Sequence, residues 1–210
     1  HAPQVGGLWN PDPPRGAVDY EYRMSQTELT VGQWFEFVNA YGPFAEFPND
    51  TTFTGGHIGS NFDGTYFIFG NDKIVQHWPA SMAPRYAARF VNWLHNGKVN
   101  EQWAFESGVY DTSTFGQTVI KGATAYTDDY TPAPGAKYWI PSLDEWVKAM
   151  HYDPNRYGEG EGGYWAYPHS SDAVPIPGLP GNGGETNAGM PVDQPVPILP
   201  VGSYPGSQSP

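Results

Sequence analysis

Cysteine is missing from all 210 residues. That removes disulfides, thiolate metal sites and cysteine nucleophiles together. Basic side chains are scarce as well: 10 Lys and Arg stand against 22 Asp and Glu, a formal net charge of −12. Nucleic acid and anionic membrane surfaces demand basic residues that neutralise phosphate, so the acidity speaks against both as partners. Cation binding, export and plain solubility all fit such acidity. No apolar run approaches the ~20 residues that cross a bilayer, and no internal repeat is visible. The chain opens on His1 rather than Met. An exported protein whose signal peptide was removed ahead of His1 is the expectation, with an arbitrary cut as the other reading.

Aromatics are plentiful: 16% of the chain, with 8 Trp, 14 Tyr and 11 Phe. Large side chains for a core are therefore available, and the length fits one domain or two small ones. Glycine (26) and proline (22) make up nearly a quarter of the residues, which predicts many turns and little regular structure. Abundant aromatics and the absence of long charge blocks separate this from a disordered composition.

Residues 1–17 read as an irregular lead-in, because "NPDPP" forbids helix. "AVDYEYRMSQTELT" alternates as a strand would, with Tyr20, Tyr22 and Met24 on one face. Thr30 followed by Gln33 makes a capping box for a helix over about 31–40, with Trp34, Phe35, Phe37 and Val38 as its apolar face and Gly42-Pro43 as its stop. Residues 43–64 read as loop, and "TYFIFGNDKIVQHW" as a hairpin around Gly70-Asn71. Pro84 starts a second helix over 84–96; Tyr86, Phe90, Val91 and Leu94 share a face, and Gly97 ends it. "TVIKGATAY" is a possible strand. Ser142 with Glu145 caps a third helix over 143–151, in which Trp146, Ala149 and Met150 pack inward. These elements make an α+β domain. Trp34, Phe37, Phe90, Trp93 and Trp146 are its expected buried anchors.

Taken in order, the segments "YRMSQTELTVGQWFEFVNA", "APRYAARFVNWLHNG", "YWIPSLDEWVKAMHYDPN", "GYWAYPHSSDAVP" and "LPVGSYPGSQSP" resemble the formylglycine-generating enzyme (sulfatase-modifying factor) family, over about residues 18–210. The resemblance is greatest to exported bacterial members. It implies a C-type-lectin-like fold of short helices, short strands and long loops, and one domain over 18–210. In the family, the segment resembling "VGSYPGSQSP" leads into a Gly/Trp-rich block and, in the oxidases, paired cysteines that bind copper(I). Two expectations follow: a longer parent chain, or a neighbouring copy whose donated strand completes the sheet and builds a fibre. Cysteine-to-formylglycine oxidation has no residue to carry it within this sequence. A copper-dependent oxidase would need its cysteines in a further C-terminal part.

The same resemblance implies a calcium site made by the Asn187 side chain, the Ala188 carbonyl, Asp193 and the Pro195 carbonyl. Hard oxygen ligands on an irregular loop suit that ion. The spacing from Asn187 to Asp193 is shorter than in the oxidases. A weaker alternative is a copper monooxygenase using His1 as an amine-and-ring chelate. "HSSD" at His169–Asp172 gathers triad residue types but has no nucleophile elbow around it. "NDT" at Asn49–Thr51 matches an N-glycosylation sequon. Trp9, Phe62, Tyr66, Trp103, Tyr164 and Tyr167 lie in loop-like or Gly-rich stretches and are the candidate residues for binding a partner, with Trp165 equally suited to a loop-rich core. The function these features predict is a non-catalytic extracellular or cell-surface domain. Its partners would be an extracellular glycan or protein, or further copies of itself.

Overall fold

A computed structural model describes residues 15–190, 198–206, 209 and 210. It is a mixed α+β structure of short helices and three separate two-stranded antiparallel sheets. The contacts divide the chain into two compact units, Glu28–Ile140 and His1–Thr27 with Pro141–Pro210. The sequence reading drew one domain over 18–210.

In the Glu28–Ile140 unit, helix α1 spans Val31–Tyr41. Its capping box forms as the sequence predicts: the Gln33 N–H donates to Thr30 Oγ1 and the Thr30 N–H to Gln33 Oε1. Val31, Trp34, Phe37, Val38 and Tyr41 are buried along one side. Phe37 is the centre of an aromatic cluster, with the rings of Trp34, Tyr41, Phe53, Phe90, Trp93 and Phe105 all 4.6–6.2 Å from its own. Helix α4 (Pro84–His95) separates this cluster from a second one. Trp93 faces the first; Ala88 and Val91 join Val109 and Tyr110 in the second. Its end is a Schellman motif: Lys98 N–H donates to Trp93 O and Gly97 N–H to Leu94 O, with Gly97 at φ 73°.

Several connections differ from the sequence reading. The predicted loop 43–64 contains the short helix α2 (Thr51–Thr54) and strand β1 (Ile58–Ser60). Strand β2 (Tyr66–Ile68) pairs backwards with β1 instead of forwards across Gly70-Asn71. Two local facts decide this. The Asn61 N–H donates to Thr65 O, with Gly64 at φ 83°, so the tight turn lies before β2. After it, residues Asp72–Val75 coil into helix α3. "TVIKGATAY" is a whole hairpin, β3 (Gln117–Ile120) against β4 (Ala123–Tyr126). Lys121 and Gly122 both take positive φ (51° and 82°), the signature of a two-residue type I′ turn. Helix α5 is Gln102–Glu106.

In the other unit, helix α6 spans Leu143–His151, again with its predicted capping box at Ser142 and Glu145. The strand expected over the "AVDYEYRMSQTELT" segment does not form. Side chains rather than a backbone ladder tie this stretch to α6: the Tyr20 hydroxyl donates to Glu145 Oε1, the Tyr22 hydroxyl to the Glu145 carbonyl, and Lys148 Nζ to Val18 O. Tyr20 and Tyr22 both reach Glu145, with their rings 6.1 Å apart. Trp146, an expected core anchor, is 45% exposed, because the buried positions of α6 are Glu145 and His151. Trp34, Phe37 and Trp93 are buried as predicted; Phe90 is partly buried against them. Strands β5 (Tyr152–Asp153) and β6 (Gly163–Tyr164) close the acidic loop that follows α6.

Candidate binding surface

The β1–β2 hairpin carries the clearest solvent-facing aromatic group. Its turn is stitched by side chains: Asn61 Nδ2 donates to Thr65 Oγ1, while the Thr65 hydroxyl and N–H both donate to Asp63 Oδ1. Those Thr65 bonds hold the Asp63 carboxyl below its usual range. Phe62 stands fully exposed on this turn. Phe67 and Phe69, two residues apart, point to one side and meet edge to face at 5.1 Å. Both rings lie over Gly59, where an added Cβ would come within 2.6 Å of Phe69 Cζ and 2.8 Å of Phe67 Cζ. Gly59 is thus the seat that lets the pair lie across the hairpin, and both rings still face water.

Tyr66, a candidate from the sequence, belongs to the core instead. Its ring packs on Gly42 and lies 6.3 Å from the Phe53 ring, and burial raises its hydroxyl pKa. Trp103 is 56% exposed, but it sits on helix α5 rather than in the loop-like stretch expected from the sequence. Asn49 of the sequon is exposed on a turn, and its side chain accepts from the Ser60 hydroxyl.

Aromatics of the other unit are mostly engaged. Arg156 lies 4.5 Å over the Trp165 ring and 4.9 Å over the Tyr157 ring, and its guanidinium binds the Asp172 carboxylate. Trp165 Nε1 donates to Asp153 Oδ2. The Tyr164 hydroxyl donates to Gly16 O, and burial raises its pKa. Tyr164 is therefore a packing residue. Tyr167 is half-buried, and its N–H donates to Ser171 O across the "HSSD" turn. Asp172 pairs with Arg156 and accepts the Ala166 N–H, so it does not serve His169 as a triad acid would.

Asn187 and Ala188 sit on a turn in which Ala188 N–H donates to Thr186 Oγ1 and Met190 N–H to the Asn187 carbonyl. Asp193 and Pro195, the other two calcium candidates, lie outside the described residues, as do Trp9 and His1. Among the described residues no group of three or more His, Asp or Glu gathers where a metal ion could sit, and no helix is long and apolar enough to cross a membrane.

Sequence reasoning missed Phe67, Phe69 and their seat on Gly59. The signal was present in "GSNFDGTYFIF": a turn pair Asp63-Gly64, alternating aromatics after it and a glycine opposite. The chain matches no protein-family model, no curated protein and no solved structure.

Proposed function

We propose that this chain is a non-catalytic extracellular or cell-surface domain that binds or assembles, built on a C-type-lectin-like scaffold of the formylglycine-generating-enzyme type. The observation that carries the binding reading is the Phe67–Phe69 pair fixed over Gly59 with Phe62 beside the same turn. Rings held facing water at a set spacing stack on sugar rings or pack against an apolar protein partner. The non-catalytic reading rests on the thiol-free sequence, since the family's oxidases hold copper(I) through paired cysteines. Calcium is part of the proposal: the Asn187 side chain, the Ala188 carbonyl, Asp193 and the Pro195 carbonyl would supply oxygen ligands.

Affinity electrophoresis in gels containing soluble β-glucan, xylan or mannan tests the glycan form of this reading. The wild type is retarded by at least one polysaccharide, and Phe67→Ala with Phe69→Ala abolishes the retardation. Equal migration of both proteins in every gel counts against it. Conversion of a peptide thiol to an aldehyde by the copper-supplied chain would overturn the non-catalytic reading. Calcium raises the melting temperature of the wild type by binding only the native state; Asp193→Ala removes that rise.

A further inference from the structure

The β3–β4 hairpin is an arm with an open edge. Val119 is 72% and Tyr126 70% exposed, and among the described residues no third strand pairs with either side. An isolated two-stranded hairpin is marginal in water, so something must hold this one. At its base Arg85 does so. Its Nε and Nη2 donate to the two oxygens of Asp128 at 2.7 Å, and Nη2 also donates to Gly116 O. Asp128, 7% exposed, further accepts from the Gly116 N–H and the Tyr130 hydroxyl. The arm is therefore fixed in place before any partner arrives, which lowers the cost of binding one.

Ladder parity identifies which residues face outward. The pair flanking a two-residue turn is hydrogen-bonded, and bonded pairs then alternate. Ile120↔Ala123 and Thr118↔Ala125 are thus the bonded pairs, and Thr127 N–H to Gly116 O at 3.0 Å continues the same parity. Thr124 and Tyr126 direct their N–H and C=O groups away from β3. β4 itself carries no charge, no proline and no bulge, three devices that would block pairing along this edge.

We propose that β4 pairs with β4 of a second copy of this chain, antiparallel about a two-fold axis at Ala125, making a four-stranded sheet β3-β4-β4-β3. This deepens the assembly part of the reading above and rests on it. The second copy is singled out by charge. A two-fold antiparallel pairing of this edge can centre on Thr124, Ala125 or Tyr126, and of these registers only the one centred on Ala125 brings opposite charges together. The register then opposes Thr124 to Tyr126 twice, and it opposes Lys121 at the tip of one hairpin to Asp129 at the base of the other. Both charged residues are exposed. They are the nearest exposed charges on either side of β4, and they have opposite sign. The same operation on β3, centred on Thr118, would set Lys121 opposite Phe115, with no charge to meet. Elsewhere two copies of net charge −12 repel, so association depends on this local match.

The thiol-free sequence makes the register directly testable in the full chain. Ala125 residues across a non-hydrogen-bonded pair have Cα atoms about 4.5 Å apart, within disulfide reach. Ala125→Cys should oxidise to a reducible dimer of twice 23.1 kDa. Ala123→Cys should not, because its two copies lie four residues apart along the strands, about 13 Å, beyond the limit of about 7 Å. In sedimentation, Thr124→Pro removes an outward donor yet spares the hairpin's own bonds, and should weaken dimerisation at least about tenfold. Lys121→Asp should also weaken it, and adding Asp129→Lys should restore it. Equal cross-linking at positions 123 and 125, or a wild type that stays monomeric at ~1 mM, overturns the proposal. A monomer that still binds polysaccharide through Phe67 and Phe69 would sink this pairing and leave the binding reading intact.

Discussion

Asn92 uses every hydrogen-bonding position of its side chain inside the protein. Nδ2 donates to the carbonyls of Phe105 and Tyr110, and Oδ1 accepts from the N–H groups of Val109 and Tyr110. It is fully buried. Asn92→Ala strands four buried backbone groups, each costing about 1–3 kcal/mol if left unmade. The variant should lose well over 2 kcal/mol in urea unfolding, or fail to fold. Asn39→Ala, which removes one exposed bond to Phe35 O, should change stability by about 0.5 kcal/mol or less. His151 gives a prediction in pH. Nδ1 lies 3.0 Å from the Trp165 carbonyl, which only accepts, so Nδ1 carries the proton of the neutral ring. Burial lowers its pKa below 6.5, and the Trp165 bond opposes part of that shift. A depressed folded-state pKa means the unfolded chain takes up the proton first. Stability is therefore full above about pH 6.5 and falls as the pH drops through the depressed value. His151→Gln should flatten the stability profile between pH 7 and 5. An unchanged slope would mean that another group causes the loss.

At the scale of elements, α1 and its cluster set the largest single cost. Phe37 touches six other rings, so Phe37→Ala leaves a cavity that rigid aromatics cannot close; about 3–5 kcal/mol is expected. Ser142→Ala, which removes one cap on α6, should cost about 1 kcal/mol. Differential denaturation of the two variants orders the effects. These helices are legible in the sequence because their signals are local: a capping box, a proline in the first turn, a Gly stop and an apolar stripe. The strands are not, because their partners are set elsewhere. "AVDYEYR" alternates well, yet its partner is a helix that receives it through Tyr hydroxyls. "TYFIFGN" looks like the first half of a hairpin, and only the turn before it shows that it is the second half. Exposure is equally non-local. Phe62 faces water as its loop setting suggests and Trp103 does so from helix α5, whereas Tyr66 fills space above Gly42 and Tyr164 fills space at Gly16, two glycines distant in sequence.

Across the whole molecule, apolar burial is uneven. Every buried apolar side chain among the described residues lies between Val31 and Tyr110, within the Glu28–Ile140 unit. In the other unit the buried side chains are Glu145 and His151, and its segments are joined by polar contacts such as Gly16 N–H to Asp144 Oδ1 and Arg156 to Asp172. A net hydrogen bond contributes about 1 kcal/mol, while burying one large apolar side chain contributes about 1.5–3 kcal/mol. The two units should therefore open with different ease even where local structure is alike. Helices α1, α4 and α6 make the fair comparison, since all three have intrahelical bonds and two of them share the same capping motif. Native-state hydrogen exchange should find the amides of α6 exchanging at least about tenfold faster than those of α1 and α4, a gap of about 1.4 kcal/mol or more in opening free energy. Lowering the pH from 7 to 5.5 should widen that gap once intrinsic rates are corrected, because His151 is buried on α6 and its neutral form is the one the fold favours. If α6 is protected as strongly as α4, polar contacts alone hold that unit as firmly as an aromatic core holds its neighbour, and the ranking drawn from burial is wrong.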